Sequence, residues 1–301
     1  MSAAPPASGP IRRIARRLSG DARARTAVVV LLVVVAAALL APVLAPYDPA
    51  AQLDIVRLKS QPPSWAHPLG TDPYSRDVLS RLLWGSRISL AVAFIAVTLS
   101  MTIGVAVGAI AGYAGGAVDA VLMRLVDTAL SVPRLLLLIG VVALWSNVGI
   151  AALTLLLAGT GWFTVSRLTR AETLVVRERE FVVAARMLGA SPWRILSRHI
   201  LPNVVGPAFV AATLGIANVI LLEAGLSYLG IGVRAPAASW GGIIQDGAER
   251  VADLWWLTLF PGLAILITVF ACNALGDALR DALDPRQLAP SLDDDIPHRT
   301  R

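Results

Sequence analysis

The chain has 301 residues, of which 56% are apolar and only 15% charged, and its mean hydropathy is +0.70. Soluble domains carry about 25% charged residues, so the bilayer is the expected solvent and a soluble enzyme is excluded. The net charge of +6 does not call for nucleic acid, because the basic residues lie between apolar runs, as the positive-inside effect predicts.

A membrane span needs about 20 apolar residues to cross roughly 30 Å of hydrocarbon. Residues 1–26 form a basic tail ahead of the first such run, "AVVVLLVVVAAALLAPVLA" at 27–45. Pro46 directly after Ala45 argues against cleavage of this run as a signal peptide. The first span and the extracytoplasmic segment after it occupy residues 27–87. In that segment, "TDPYSRDVLSRLLWGSRISL" offers Thr71 or Asp72 as a cap before Pro73 and places Val78, Leu79, Leu82 and Leu83 on one face. The pattern predicts an interfacial helix feeding the second span.

A five-span core follows over residues 88–280. The second span, 88–113, carries Gly104, Gly108 and Gly112 at four-residue spacing, a face that another helix can approach closely. The third begins amphipathically at "AVDAVLMRLVDTALSVP" and becomes apolar at "RLLLLIGVVALW", ending near Trp145. Arg124 and Asp127 are spaced to pair, and Pro133 marks a kink or boundary. Gly149 turns the chain into a fourth span at 150–166; the fifth is 204–224 and the sixth 254–275. Residues 281–301 form a second tail. Six spans put both termini on one side, and 19 of the 26 Lys and Arg residues, with Arg124 and Arg134 among them, fall on that side. Both termini are therefore expected in the cytoplasm of a bacterial inner membrane.

The cytoplasmic loop 172–202 is amphiphilic rather than oily. "AETLVVREREFVVAARMLG" predicts a helix ending at Gly189, which tolerates positive φ. Ser191 then caps a second helix with Pro192 in its first turn, stopping at Pro202. Trp193, Leu196 and Ile200 share one predicted face, Arg194 and Arg198 another. Helices this short are marginal alone in water, so they pack on something; periodicity leaves anionic lipid and a soluble partner equally open.

Energy for transport must come from elsewhere. The phosphate-binding pattern G-x-x-x-x-G-K-[ST] is missing, since the single lysine, Lys59, stands in "IVRLKSQ" with no glycine before it. If ATP drives this protein, another subunit hydrolyses it. The alternative is an autonomous ion-coupled carrier, but no internal repeat is visible, and only Glu223, near the outer end of the fifth span, offers an ionisable group beside a late span. Its simplest reading is that it reaches the interface. A transport-inert scaffold is a third class. Cys272, lone in an apolar run, and the separated His67, His199 and His298 give no metal or disulfide pattern, and no catalytic constellation appears. The Gly- and Pro-rich "LGIGVRAPAASWGG" between the last two spans is a candidate outer gate or docking loop, with Glu223, Arg234, Pro236 and Trp240 as its candidate residues.

"FVVAARMLGASPWRILSRHILPN", residues 181–203, resembles the "EAA" coupling motif of bacterial ABC importer permeases: E-A-A, three residues, G, nine residues, I, one residue, L-P. Ala184, Ala185, Gly189, Leu201 and Pro202 match, whereas Val183 stands at the Glu position and His199 at the Ile position. Glu180, one turn earlier, is the candidate to replace the missing carboxylate. "HPLGTDPYSRDVLSRLLWGSRISL", "EAGLSYLGIGVRAPAASWGGIIQDG" and "LGDALRDALDPR" resemble the C-type permease subunits of dipeptide, oligopeptide and nickel importers. The resemblance implies an all-α, six-span protein, a type I ABC importer permease core with one extra N-terminal span. It also implies a paralogous B-type permease partner, two ABC ATPase subunits or domains that carry the ATP and Mg, and an extracytoplasmic substrate-binding protein. No cofactor is expected in this chain. By the same resemblance, Glu180, Ala184, Ala185, Gly189, Ala190, Ser191, Pro192, Trp193 and Arg194 form the ATPase-coupling surface, and the cargo is a dipeptide or oligopeptide.

Overall fold

Backbone polar groups have no water to pair with in hydrocarbon, and a helix is the element that satisfies them within one segment. The computed structural model describes residues 18–144, 148–233 and 235–283, and its regular elements are helical, with one isolated bridge between Thr71 and Asp77. In chain order, besides the single turns Ala41–Leu44 and Ala248–Arg250, they are α1 (Ala22–Leu39), α2 (Val78–Ala114), α3 (Gly116–Leu130), α4 (Arg134–Ala143), α5 (Ile150–Arg177), α6 (Glu180–Met187), α7 (Pro192–Ile195), α8 (Leu201–Tyr228), α9 (Trp240–Gly247) and α10 (Trp256–Leu283). A π turn, Leu196–Ile200, joins α7 to α8. Five of these helical stretches are long and apolar enough to cross a membrane, and α3 with α4, bent by 79°, brings the number to six when the pair is counted as one broken span.

Several expectations change. The segment before the second span is not a separate interfacial helix: α2 starts at Val78 and continues unbroken for 37 residues. Its cap is Asp77, not Thr71 or Asp72; the Asp77 carboxylate accepts a hydrogen bond from the Ser80 N–H at 2.8 Å. The third span is broken, because Pro133 cannot donate to the preceding turn. Asp127 meets Arg167 at 3.8 Å rather than Arg124. Pro202 does not stop a helix. It sits in the first turn of α8, where its missing N–H costs no bond, and the helical path runs on from Pro192 to Tyr228. The turn between the third and fourth spans falls on residues 145–147, outside the described residues.

The bundle has a Gly189 end and an Arg76 end; Leu283 lies beside Gly206 near the start of α8, and Ala22 shares a groove with Ala274 of α10, which puts both toward the Gly189 end. Packing centres on α2, which lies against α5 for most of its length. The expected glycine face makes this possible: a Cβ on Gly104 would sit 2.6 Å from Val165 Cβ, and one on Gly112 would sit 2.8 Å from Thr173 Cβ. The core of Val92, Ala96, Leu153, Leu157, Ile220 and Leu226 ties α2, α5 and α8 together. Val29, Leu32 and Val33 of α1 and Leu266 and Phe270 of α10 remain exposed, as lipid-facing residues should.

Candidate functional site

At the Gly189 end, residues 178–200 build the predicted helix-turn-helix. α6 ends at Met187 with Leu188 as its C-cap, and Gly189 follows at φ +77°, where a side chain would be strained. The Ser191 hydroxyl accepts from the Arg194 N–H at 3.4 Å, a long cap, with Pro192 in the first turn. Underneath, Val182, Ile195, Leu196 and Ile200 pack with Val176 of α5, Val204 of α8 and Ala109 of α2. The motif is thus rooted in three spans. Its tip is the reverse: Met187, Leu188 and Trp193 are 84%, 88% and 72% exposed. Ala184, Gly189, Ser191, Pro192 and Arg194 are exposed beside them, Ala185 and Ala190 are half-buried, and Glu180 is exposed at the start of α6. The predicted coupling set is therefore mostly exposed, while Ala185 and Ala190 pack against the buried base.

One part of the periodicity argument fails there. Trp193 does not share the buried face of Leu196 and Ile200, because the π turn adds a residue and brings Ile195 inward in its place. Asp119 of α3 and Arg170 of α5 brace the same end in a bidentate pair at 2.5 and 2.6 Å.

At the Arg76 end, the second candidate set divides. Glu223 does not reach an interface; it is fully buried, accepting from the Ser89 hydroxyl at 3.0 Å and the Ser227 hydroxyl at 2.7 Å. Ser89 in turn accepts from the Trp240 backbone N–H at 3.3 Å, and Ser227 from that of Val233 at 3.1 Å. Trp240 is buried too, its indole N–H donating to the Leu82 carbonyl at 3.3 Å. Burial removes both from direct contact with a docking partner and makes them the pins that hold α9 against α2 and α8. Pro236, after a cis peptide bond with Ala235, is exposed; Arg234 lies outside the described residues.

The sequence reading missed a charged network beside them. Asp72 accepts from Arg76 Nε at 2.6 Å and from Arg81 Nη1 at 2.5 Å, and Asp246 from Arg76 Nη2 at 2.8 Å and Arg81 Nη1 at 2.6 Å. His67 Nδ1 meets Asp77 at 2.9 Å, and the Trp256 indole donates to the Thr71 carbonyl at 3.1 Å. The i,i+4 and i,i+9 spacing of Asp72 to Arg76 and Arg81 was visible, but Asp246 is 165 residues from Arg81 and no local pattern signals it. Above this network opens a cavity of about 500 Å3, bordered by Tyr74, Gln245, Asp246 and Arg250.

The chain matches known proteins over nearly its whole length. A peptide permease protein of Brucella suis biovar 1 is 44% identical over 285 residues, covering 94% of this chain and 93% of the relative. A peptide transport system permease protein of Brucella abortus is 42% identical, covering 92% of each. The dipeptide transport system permease protein DppC of Bacillus subtilis is 37% identical, covering 90% of this chain and 84% of its own. Residues 9–63 match the N-terminal transmembrane domain of oligopeptide transport permease C. Residues 104–288, which carry the helix-turn-helix, the buried glutamate and the loop between α8 and α9, match a second family, and the chain belongs to it: the binding-protein-dependent transport system inner membrane components.

Proposed function

We propose that this chain is one of two permease subunits of an ATP-driven importer of dipeptides or oligopeptides. A paralogous permease supplies the other half of the pathway, two partner ATPase subunits bind and hydrolyse ATP with Mg, and an extracytoplasmic binding protein delivers the cargo. The Gly189 end then faces the cytoplasm, together with both termini, in agreement with the excess of Lys and Arg on that side. The observation that carries the coupling role is the exposed apolar tip of Met187, Leu188 and Trp193 on a base rooted in three spans. Such a tip has little reason to face water and fits a groove on a soluble partner. Peptide cargo is supported by what the relatives are called.

Nucleotide can bias the permease only because its inward- and outward-open states meet the ATPases differently. Closure of the ATPases carries the tip with it, and the tip carries α5 and α8, between which it is strung. The segment 229–247, pinned through Glu223, serves as the outer lid. Gly189→Pro tests the coupling: Pro fixes φ near −65° where the loop needs +77°. The variant stays in the membrane and loses both uptake and ATPase association; normal uptake refutes the coupling role.

A further inference from the structure

Arg134 stands where the sequence count did not put it. It is the first residue of α4, immediately after the break in the third span, and its side chain turns into the bundle. Its Nε donates to the Thr160 hydroxyl at 3.0 Å and its Nη2 to the Leu157 carbonyl at 2.7 Å. The guanidinium also lies against Gly161 and Ser100: a Cβ on Gly161 would come within 3.1 Å of Arg134 Nη2, and closer to the Ser100 hydroxyl. Ser100 is 12 residues from Ile88 and 13 from Tyr113, the limits of the apolar run of α2. At 1.5 Å per residue, the guanidinium is about 18 Å from either end of that run. This is the interior of the membrane, not its cytoplasmic face.

An arginine at that depth is costly unless it meets a counter-charge or a watery cavity. Among the described residues no carboxylate lies within 4.0 Å of it; its two partners are neutral oxygens. It does border a cavity of about 590 Å3 between α2, α5 and α8. That volume lies in the range of small-molecule sites, about 300–1,000 Å3. The walls are mainly aliphatic, and Ser100, Thr164 and Asn218 are the polar groups beside Arg134. One fixed cation in such a chamber selects for one anionic group on an otherwise variable, partly apolar molecule.

We infer that Arg134 receives the C-terminal carboxylate of a peptide in transit. This rests on the peptide-import reading above. The carboxylate is the one anion that every linear peptide carries whatever its side chains, so a single arginine can serve a broad range of cargo. Thr160 and the Leu157 carbonyl hold the guanidinium from behind, leaving Nη1 for the substrate. Bonds from a charged donor to a charged acceptor are the strong ones.

The test uses the complete importer in proteoliposomes with its binding protein. Uptake of dialanine is compared with that of dialanine amide, each at a concentration that saturates the binding protein, whose affinities are measured separately. The same binding protein serves every permease variant, so its selectivity cancels when the dialanine-to-amide ratio of the variant is set against that of the wild type. Arg134→Gln is expected to lower this ratio about ten- to hundredfold, the range of a charged hydrogen bond. Arg134→Lys keeps the charge, and with it the assembly. Its single ammonium cannot serve Thr160, Leu157 and a carboxylate together, so the ratio falls partway. An unchanged ratio with slower uptake of both compounds overturns the assignment and makes Arg134 a structural or partner-facing cation. Failure of the wild-type importer to take up either peptide overturns the import reading itself.

Discussion

The close approach of α2 and α5 makes a quantitative prediction at Gly108. A Cβ there would lie 2.8 Å from Thr169 Cβ and 2.9 Å from the Arg170 backbone nitrogen, and nearer still to the Ser166 carbonyl oxygen. Non-bonded carbons settle at about 3.5–4.0 Å, so the two helices must part by roughly 1 Å to admit one methyl group. Two of the three opposing atoms are backbone, and the third belongs to a β-branched side chain, so no rotamer change relieves the contact. Gly159, on the same pair of helices, has nothing within 4 Å of where its Cβ would be. Alanine gains about 1 kcal/mol of helix propensity over glycine at either position. The difference between Gly108→Ala and Gly159→Ala therefore isolates the clash, and overpacking of this kind costs about 1–3 kcal/mol. The assay is unfolding of each purified variant in mixed micelles by titration with SDS, followed by tryptophan fluorescence. Gly108→Ala should unfold at a lower SDS fraction than wild type, and Gly159→Ala at the same or a higher one. Coincident curves for the two variants would mean that the glycine face does not set the separation of these helices.

The remaining predictions concern the two ends of the bundle. Glu223→Ala leaves the Ser89 and Ser227 hydroxyls without their acceptor, at about 1–3 kcal/mol, so amide exchange in residues 229–247 should accelerate, while Glu223→Gln keeps a carbonyl acceptor and exchanges more slowly than the alanine variant. Asp72→Ala leaves Arg76 and Arg81 sharing Asp246 alone and should destabilise by about 3–5 kcal/mol in the same SDS titration, whereas Asp246→Ala, whose partner carboxylate Asp72 stays fully buried, should cost less. Trp193→Ser removes an exposed side chain and should leave the SDS midpoint within about 0.5 kcal/mol of wild type, yet reduce co-purification of the ATPase subunits; a large loss of stability would show that the indole packs within the chain.

The sequence reveals most where physics is local. Hydropathy located the spans, the Gly104-Gly108-Gly112 spacing located a helix contact, and Gly189, Ser191 and Pro192 marked a turn and cap that the structure keeps, because each depends on near neighbours only. Three features were misread for the opposite reason. Glu223 looks interfacial by position, yet Ser89 and Trp240, 134 residues before it and 17 after it, close over it. Asp72 looks like a helix cap because it precedes Pro73, but Arg81 and Asp246 recruit it to a tertiary network, leaving Asp77 to cap α2. Arg134 looks cytoplasmic because Pro133 precedes it at the start of an apolar run, and only the 79° bend turns it inward. Periodicity could not have placed Trp193 either, since the π turn that follows it breaks the 3.6-residue register.

The path from the tip to the far end of the molecule can be followed along one helical stretch. From Pro192 the chain continues through the π turn and α8 to Tyr228, 37 residues, or about 55 Å at 1.5 Å per residue. Met187, Leu188 and Trp193 lie at its start, and Glu223 lies one turn before its end. Under the proposed coupling, a tilt imposed at the tip reaches the carboxylate that pins the segment before α9. The stretch is not uniformly stiff: the π turn precedes Pro202, and Pro207 lies inside α8 next to Gly206, which together concentrate any bend in the first half. Beyond Pro207 the helix packs against α2 and α10, with Gly276 of α10 pressed against Leu214. Under the same coupling, the half of the stretch nearest the tip flexes while the rest moves as a rod. The inner opening can then change shape more than the outer one, and Arg134 borders the cavity on the rod itself, beside Asn218.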